Sequence, residues 1–102
     1  MLAFYLSIMD NDEERSIFAE LYEKFYHEGL FYAYNLLNDK ILAEDAVHEA
    51  FLDVIRNRKK HLILPRNEFR KLFTIIVRCK SIDIIRKKNR EKKYQEEHSY
   101  LL

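Results

Sequence analysis

A chain of 102 residues has room for one hydrophobic core and not for two ordinary domains. Hydrophobic residues at 48% and charged residues at 34% exclude a disordered segment, and a single glycine and a single proline exclude a turn-rich β fold, which leaves an all-α bundle of about four helices. The net charge of +1 conceals a division: residues 1–55 carry twelve acids and three bases, net −9, whereas residues 56–102 carry fifteen bases and five acids, net +10.

Residues 2–9 are apolar, but they lack a basic flank and fall far short of the ~20 residues of a membrane span, so the protein is expected in the cytoplasm. Residues 1–15 read as an N-terminal extension ending in a helix cap. Asn11 or Asp12 can accept from the free N–H groups of a helix, and Glu13 and Glu14 suit its first turn. The apolar stripe of that helix is Ile17, Phe18, Leu21, Tyr22 and Phe25. His27-Glu28-Gly29 predicts a break or kink, because glycine is costly inside a helix. A second, short helix then carries Leu30, Phe31, Tyr34 and Leu37 and stops at Asn38-Asp39.

The third helix has the clearest pattern. Ala46, Val47, Ala50, Phe51, Val54 and Ile55 form a two-wide apolar stripe, and Asp45, His48, Glu49, Leu52, Asp53 and Arg56 occupy the other side. Arg56, Arg58, Lys59 and Lys60 gather at its C-terminal end, where the helix dipole favours cations. A loop over about residues 60–66 holds Leu62, Ile63 and Leu64, three aliphatics that either tuck against the core or serve a partner.

The fourth helix is expected to be capped by Asn67 and to run to about Lys93, a length typical of helices and excessive for a strand. Ile76 is expected on its inner stripe and Cys79 in the core, while Arg70, Thr74, Arg78 and Ser81 keep one face wet. Beyond Ile85 the sequence turns basic, with no core contact expected, and residues 94–102 read as a frayed tail or the start of a linker. One cysteine excludes an internal disulfide and the four histidines lack ligand spacing, so neither metal nor other cofactor is expected. No nucleophile, base and acid converge, which argues against an enzyme.

The two charged surfaces leave two readings open at this level. The halves attract each other, or each serves a different partner, one of them a polyanion. A basic helix beside aromatics and an aliphatic loop suits nucleic acid, since phosphate neutralisation supplies affinity and apolar groups hold unstacked bases. A helical protein-interaction module without DNA binding is the alternative.

Three segments carry a family resemblance: Phe18-Ala19-Glu20-Leu21-Tyr22, Ala43-Glu44-Asp45-Ala46-Val47-His48-Glu49-Ala50-Phe51 and Asp83-Ile84-Ile85-Arg86-Lys87. In order and spacing they resemble region 2 of bacterial σ factors of the extracytoplasmic-function type, over about residues 16–93. The resemblance implies a helical domain whose third helix docks on the clamp coiled coil of the largest RNA polymerase subunit, through Asp45, His48, Glu49, Leu52 and Ile55. It implies recognition and melting of the promoter minus-ten element, with a flipped base of the single non-template strand held by Ile63, Leu64, Pro65, Arg66 and Asn67. Arg70, Arg78, Lys80, Arg86 and Lys87 would add DNA contacts, an anti-σ protein would be a further partner, and Asp83 would pair with a basic neighbour. The chain departs from the family with His48 where Gln is usual, Leu72 where Trp is frequent and Cys79 where Asn is frequent. The family's second domain, a helix-turn-helix for the minus-thirty-five element, has no room here, so the chain reads either as a fragment of a longer factor, which an end just after a basic helix favours, or as a one-domain relative.

Overall fold

The computed structural model describes residues 1–98, and these contain five helices: α1 Leu2–Ser7, α2 Asp12–Leu37, α3 Lys40–Arg56, α4 Arg58–His61 and α5 Arg66–His98. The three long helices α2, α3 and α5 pack pairwise around one core. Local chemistry sets their limits. Asn11 caps α2 by accepting from the Glu14 N–H at 2.9 Å, with Asp12, Glu13 and Glu14 in the first turn. Asn38 ends α2 in the left-handed region (φ 53°), and the next residue, Asp39, caps α3 by accepting from the Leu42 N–H at 3.0 Å. Two residues therefore make the whole connection, and α3 has to fold back along α2.

No break occurs at Gly29. The residue is buried in the middle of an unbroken α2, and a Cβ there would lie 2.8 Å from Cε2 of Phe73 on α5 and 3.7 Å from Cγ2 of Val47 on α3. The helix accepts a propensity loss of about 1 kcal/mol because a side chain at this point would collide with the buried Phe73 ring of α5, while Val47 of α3 is already at van der Waals distance. The expected kink and separate second helix are corrected by that packing.

On α3, Ala43, Ala46, Val47, Ala50, Phe51, Val54 and Ile55 are buried, and the three alanines let the neighbouring helices approach closely. The buried row of α5 is Phe69, Phe73, Val77 and Ser81, at four-residue intervals. Ile76 lies beside this row, half-buried, rather than on it. Ser81 was expected on a wet face, but the three-residue step from Arg78 turns back by about 60° towards the core. There its hydroxyl donates to the Val77 carbonyl at 2.8 Å and is satisfied. Cys79, expected inside, is exposed, as is Ile75, because apolar residues surround α5 instead of forming one stripe.

Pro65, not Asn67, precedes the first turn of α5, and its carbonyl accepts from the Phe69 N–H at 2.9 Å. The helix continues past the expected end: residues 94–98 are helical, with the His98 ring stacked on Tyr94 at 3.8 Å. The rest of the expected frayed tail, residues 99–102, lies outside the described residues. From Ile85 onward every described side chain is exposed, and the projecting α5 gives the molecule its 57 Å long axis.

Residues 2–9 are more than an extension. Helix α1 inserts Tyr5 into the core and the turn after it inserts Met9, both nearly fully buried. The Tyr5 ring lies 5.5–5.8 Å from the rings of Phe18, Tyr22, Phe51 and His48, and its Oη is 2.7 Å from His48 Nδ1. After α4, Leu62 is buried while Ile63 is 79% exposed, so the aliphatic loop divides between the core and the surface.

Two consequences are measurable. Phe51 is fully buried between Tyr5, Phe18 and Phe73, so Phe51→Ala should cost about 3–5 kcal/mol. Ile75→Ala, at the surface, should stay within about 0.5 kcal/mol. Urea unfolding compares the two, and equal losses would contradict the assigned faces of α3 and α5. The second consequence concerns pH. Burial, reinforced by Tyr22, Tyr26 and Glu49, pushes the Tyr5 hydroxyl well above the ordinary tyrosine value, and burial also raises Tyr22. Below about pH 10, tyrosines of the unfolded chain keep their protons and this stability is intact; above it, the unfolded chain sheds a proton that folded Tyr5 retains, so stability falls as pH rises. Tyr5→Phe should flatten that alkaline loss, read from urea midpoints between about pH 9 and pH 11, and an unchanged slope would rule out a buried Tyr5 hydroxyl.

Candidate nucleic-acid and protein interfaces

Burying one side of α3 turns its other side outward. Asp45 and Glu49 are exposed, and His48 and Leu52 are half-buried along the same face, at the i, i+3, i+4, i+7 spacing of one helical stripe. Neither Asp45 nor Glu49 forms an ion pair among the described residues. Ile55, expected on this surface, is 4% exposed and belongs to the core. It follows Val54 on the inner stripe, so its side chain cannot reach a partner without unpacking the bundle. His48 is held from beneath by the Tyr5 hydroxyl and flanked by the Phe4 ring at 5.9 Å.

The loop residues also separate. Ile63, Pro65 and Asn67 are exposed, Leu64 packs against the core, and Arg66 is half-buried with Nη2 3.1 Å from Glu20 Oε1. Arg70 donates from Nε to Glu28 Oε1 at 2.6 Å. Between α2 and the start of α5 runs an open groove of about 1070 Å³, lined by Lys24, Phe25, Glu28, Arg66, Asn67, Arg70, Lys71, Thr74 and Ile75. It adjoins a smaller cavity of about 170 Å³ that reaches Gly29, Phe31, Tyr32 and Phe73. Lys24, Phe25 and Lys71 were not among the expected site residues. Part of the signal was available: Asn67, Lys71 and Ile75 stand four apart, a continuous outward row on α5.

The expected cations of α5 do not share one face. Arg70 faces the groove against α2, and Lys80 turns towards α3, with Nζ 3.5 Å from Asp53 Oδ2. Arg78 and Arg86 are exposed. Lys87 lines a third groove, of about 610 Å³, with Lys88 and Glu91 on one side and Asp39, Asp45, His48 and Glu49 on the other. Asp83 is exposed and makes no ion pair among the described residues, contrary to the expected pairing with a basic neighbour.

The charge division resolves into two parts. Arg58–Glu14, Arg66–Glu20, Arg70–Glu28 and Lys80–Asp53 join the basic half to the acidic half, at 3.6, 3.1, 2.6 and 3.5 Å. Arg66–Glu20 and Arg70–Glu28, the more exposed two, contribute at most about 1 kcal/mol each, while Arg58–Glu14 and Lys80–Asp53 are half-buried. Arg78, Arg86, Lys87, Lys88, Arg90, Lys92 and Lys93 form no ion pair among the described residues, so the end of α5 keeps its positive charge. Among the described residues no His, Cys, Asp and Glu group is arranged to hold a metal, and no helix is long and apolar enough to cross a membrane.

The family model for sigma-70 region 2 matches residues 21–91, from the middle of α2 through the basic part of α5, and leaves α1 outside. No curated protein and no solved structure matches the chain. The match covers well over half of the sequence and includes both the acidic face of α3 and most of the basic stretch of α5, and the chain belongs to the sigma-70 region 2 family, a family of transcription initiation factor domains, not of enzymes, with roles in RNA polymerase binding and promoter recognition.

Proposed function

We propose that this domain belongs to a σ factor of the extracytoplasmic-function type, docks on the clamp coiled coil of the largest polymerase subunit, and melts the promoter minus-ten element. The docking surface is Asp45, His48, Glu49 and Leu52. The observation that carries the reading is the pairing, within one matched segment, of an outward acidic stripe free of internal ion pairs with a long helix whose terminal cations are equally free. DNA meets the exposed loop residues Ile63, Pro65 and Asn67 and the adjoining groove, while Arg78, Arg86 and Lys87 neutralise phosphates. A groove with aromatic and cationic walls and the exposed aliphatic Ile75 in its lining is suited to an unstacked base. An anti-σ protein would act by covering the same α3 stripe, and the site of action is the cytoplasm, where polymerase works.

Reversing Asp45 and Glu49 to Lys together should abolish capture of the clamp coiled coil with no loss of helicity, because both side chains are exposed. Undiminished capture by the folded double variant would remove α3 as the docking helix. DNA binding is tested with polymerase reconstituted around this domain, by anisotropy of labelled non-template single strand. Affinity should fall with salt by a slope of about −0.7 for each phosphate neutralised. Joint replacement of Arg86 and Lys87 by Ala should weaken all sequences alike, whereas Asn67→Ala should blunt the preference among bases, since backbone contacts position and base contacts specify. Binding that is indifferent to salt and to base would favour a protein-interaction module instead.

A further inference from the structure

We infer that Tyr5 is a positioning residue for polymerase docking: its hydroxyl fixes His48 in the Nε2–H tautomer, so that the α3 stripe offers the partner a hydrogen-bond donor at its centre. The inference rests on the docking surface proposed above and adds α1, which lies outside the family-matched segment.

The geometry fixes the direction of the bond. Tyr5 Oη and His48 Nδ1 are 2.7 Å apart, a strong hydrogen bond in which either atom could donate. Tyr5 is 2% exposed, and among the described residues its hydroxyl has no other hydrogen-bond partner. Were Nδ1 to donate, the tyrosine proton would be buried without an acceptor, an arrangement proteins avoid. Tyr5 therefore donates and Nδ1 accepts. A neutral imidazole that accepts at Nδ1 carries its proton on Nε2. Burial keeps the tyrosine protonated far into the alkaline range, so the donor is constant under physiological conditions.

What this supplies is specific to the chain. His48 lines the open groove beside Asp45 and Glu49, and those two carboxylates can only accept hydrogen bonds. The Nε2–H is thus a donor set between two acceptors, suited to a carbonyl or carboxylate on the partner flanked by its cations. A histidine offers such a donor reliably only if something fixes its tautomer, and α1 brings Tyr5 to do so. The Phe4 ring also lies beside His48, at 5.9 Å.

Two measurements test this. Long-range proton–nitrogen NMR correlations of the folded wild-type domain should report His48 as the Nε2–H tautomer near neutral pH, and as a mixture in Tyr5→Phe. Binding to the clamp coiled coil should weaken about threefold to tenfold in Tyr5→Phe, as for loss of one hydrogen bond. In a His48→Ala background the same change should have no further effect, because Tyr5 acts only through His48. If Asp45→Lys with Glu49→Lys leaves binding intact, the docking surface is wrong and this inference falls with it. If that reversal abolishes binding while Tyr5→Phe is neutral, or costs the same with and without His48, the inference alone is overturned. An Nδ1–H tautomer in the wild-type protein overturns it without recourse to any variant.

Discussion

The close approach of α2, α3 and α5 at Gly29 is the constraint on which the rest of the structure depends. Phe73 occupies the space that a β-carbon at Gly29 would need, and its ring lies 4.5 Å from Phe51 and 5.8 Å from Phe69, which in turn lies 5.5 Å from Phe25. This aromatic chain spans all three long helices, so the rotation of each about its axis is fixed by the others. A side chain larger than hydrogen at position 29 would have to displace Phe73, and close-packed interiors resist such shifts. The same contact sets the width of the groove between α2 and the start of α5, because Gly29 and Phe73 form the floor of the cavity that adjoins it.

Fixing the inner faces determines the outer ones. Once Val47, Ala50, Phe51 and Val54 point inward, Asp45 and Glu49 must point out. Once Phe69, Phe73, Val77 and Ser81 are inside, Asn67, Lys71 and Ile75 form an outward row, and the later cations spread around the helix. The interfaces are consequences of core packing and need no special backbone. The only non-glycine residue with positive φ among those described is Asn38, in the turn that joins α2 to α3. Under the proposed function this matters mechanically: both partners act on rigid helices, and α3 and α5 hold each other in place.

Much of this was legible in the sequence, for identifiable reasons. The α3 stripe repeats over three turns and has one interpretation, the cap at Asn11 announces itself by residue type, and Asn38-Asp39 reads as the stop it is. Gly29 misled because its low propensity is visible in sequence whereas its neighbour, Phe73, is 44 residues away and is not. Tyr5 was invisible for the same reason: six residues of helix carry no period, and only the tertiary contact with Phe18, Tyr22 and Phe51 reveals its role. On α5 the density of Ile, Val and Phe gave too many candidate stripes, so Cys79 and Ser81 exchanged places relative to expectation. Ile55 was assigned to both the core and the docking face, and burial decides for the core. The candidate cations were legible as a group, but which of them internal partners neutralise depended on α2 residues far away in the chain.

Internal pairing shapes how, under the proposed function, the basic helix would meet a polyanion. Arg66 and Arg70 are paired with Glu20 and Glu28, so a phosphate approaching the start of α5 has to compete with a carboxylate already in place. Further along, Arg86 and Arg90, and Lys88 and Lys92, stand four residues apart, and like charges at that spacing repel by roughly 0.2–0.5 kcal/mol per pair. No core contact offsets this repulsion, since every described side chain from Ile85 onward is exposed. A bound phosphate backbone would remove it and release condensed counterions in the same step. The two ends of α5 are therefore built for different tasks under the proposed function. The paired arginines at its start favour a ligand that supplies base contacts as well as charge, while the unpaired cations at its end respond to charge alone.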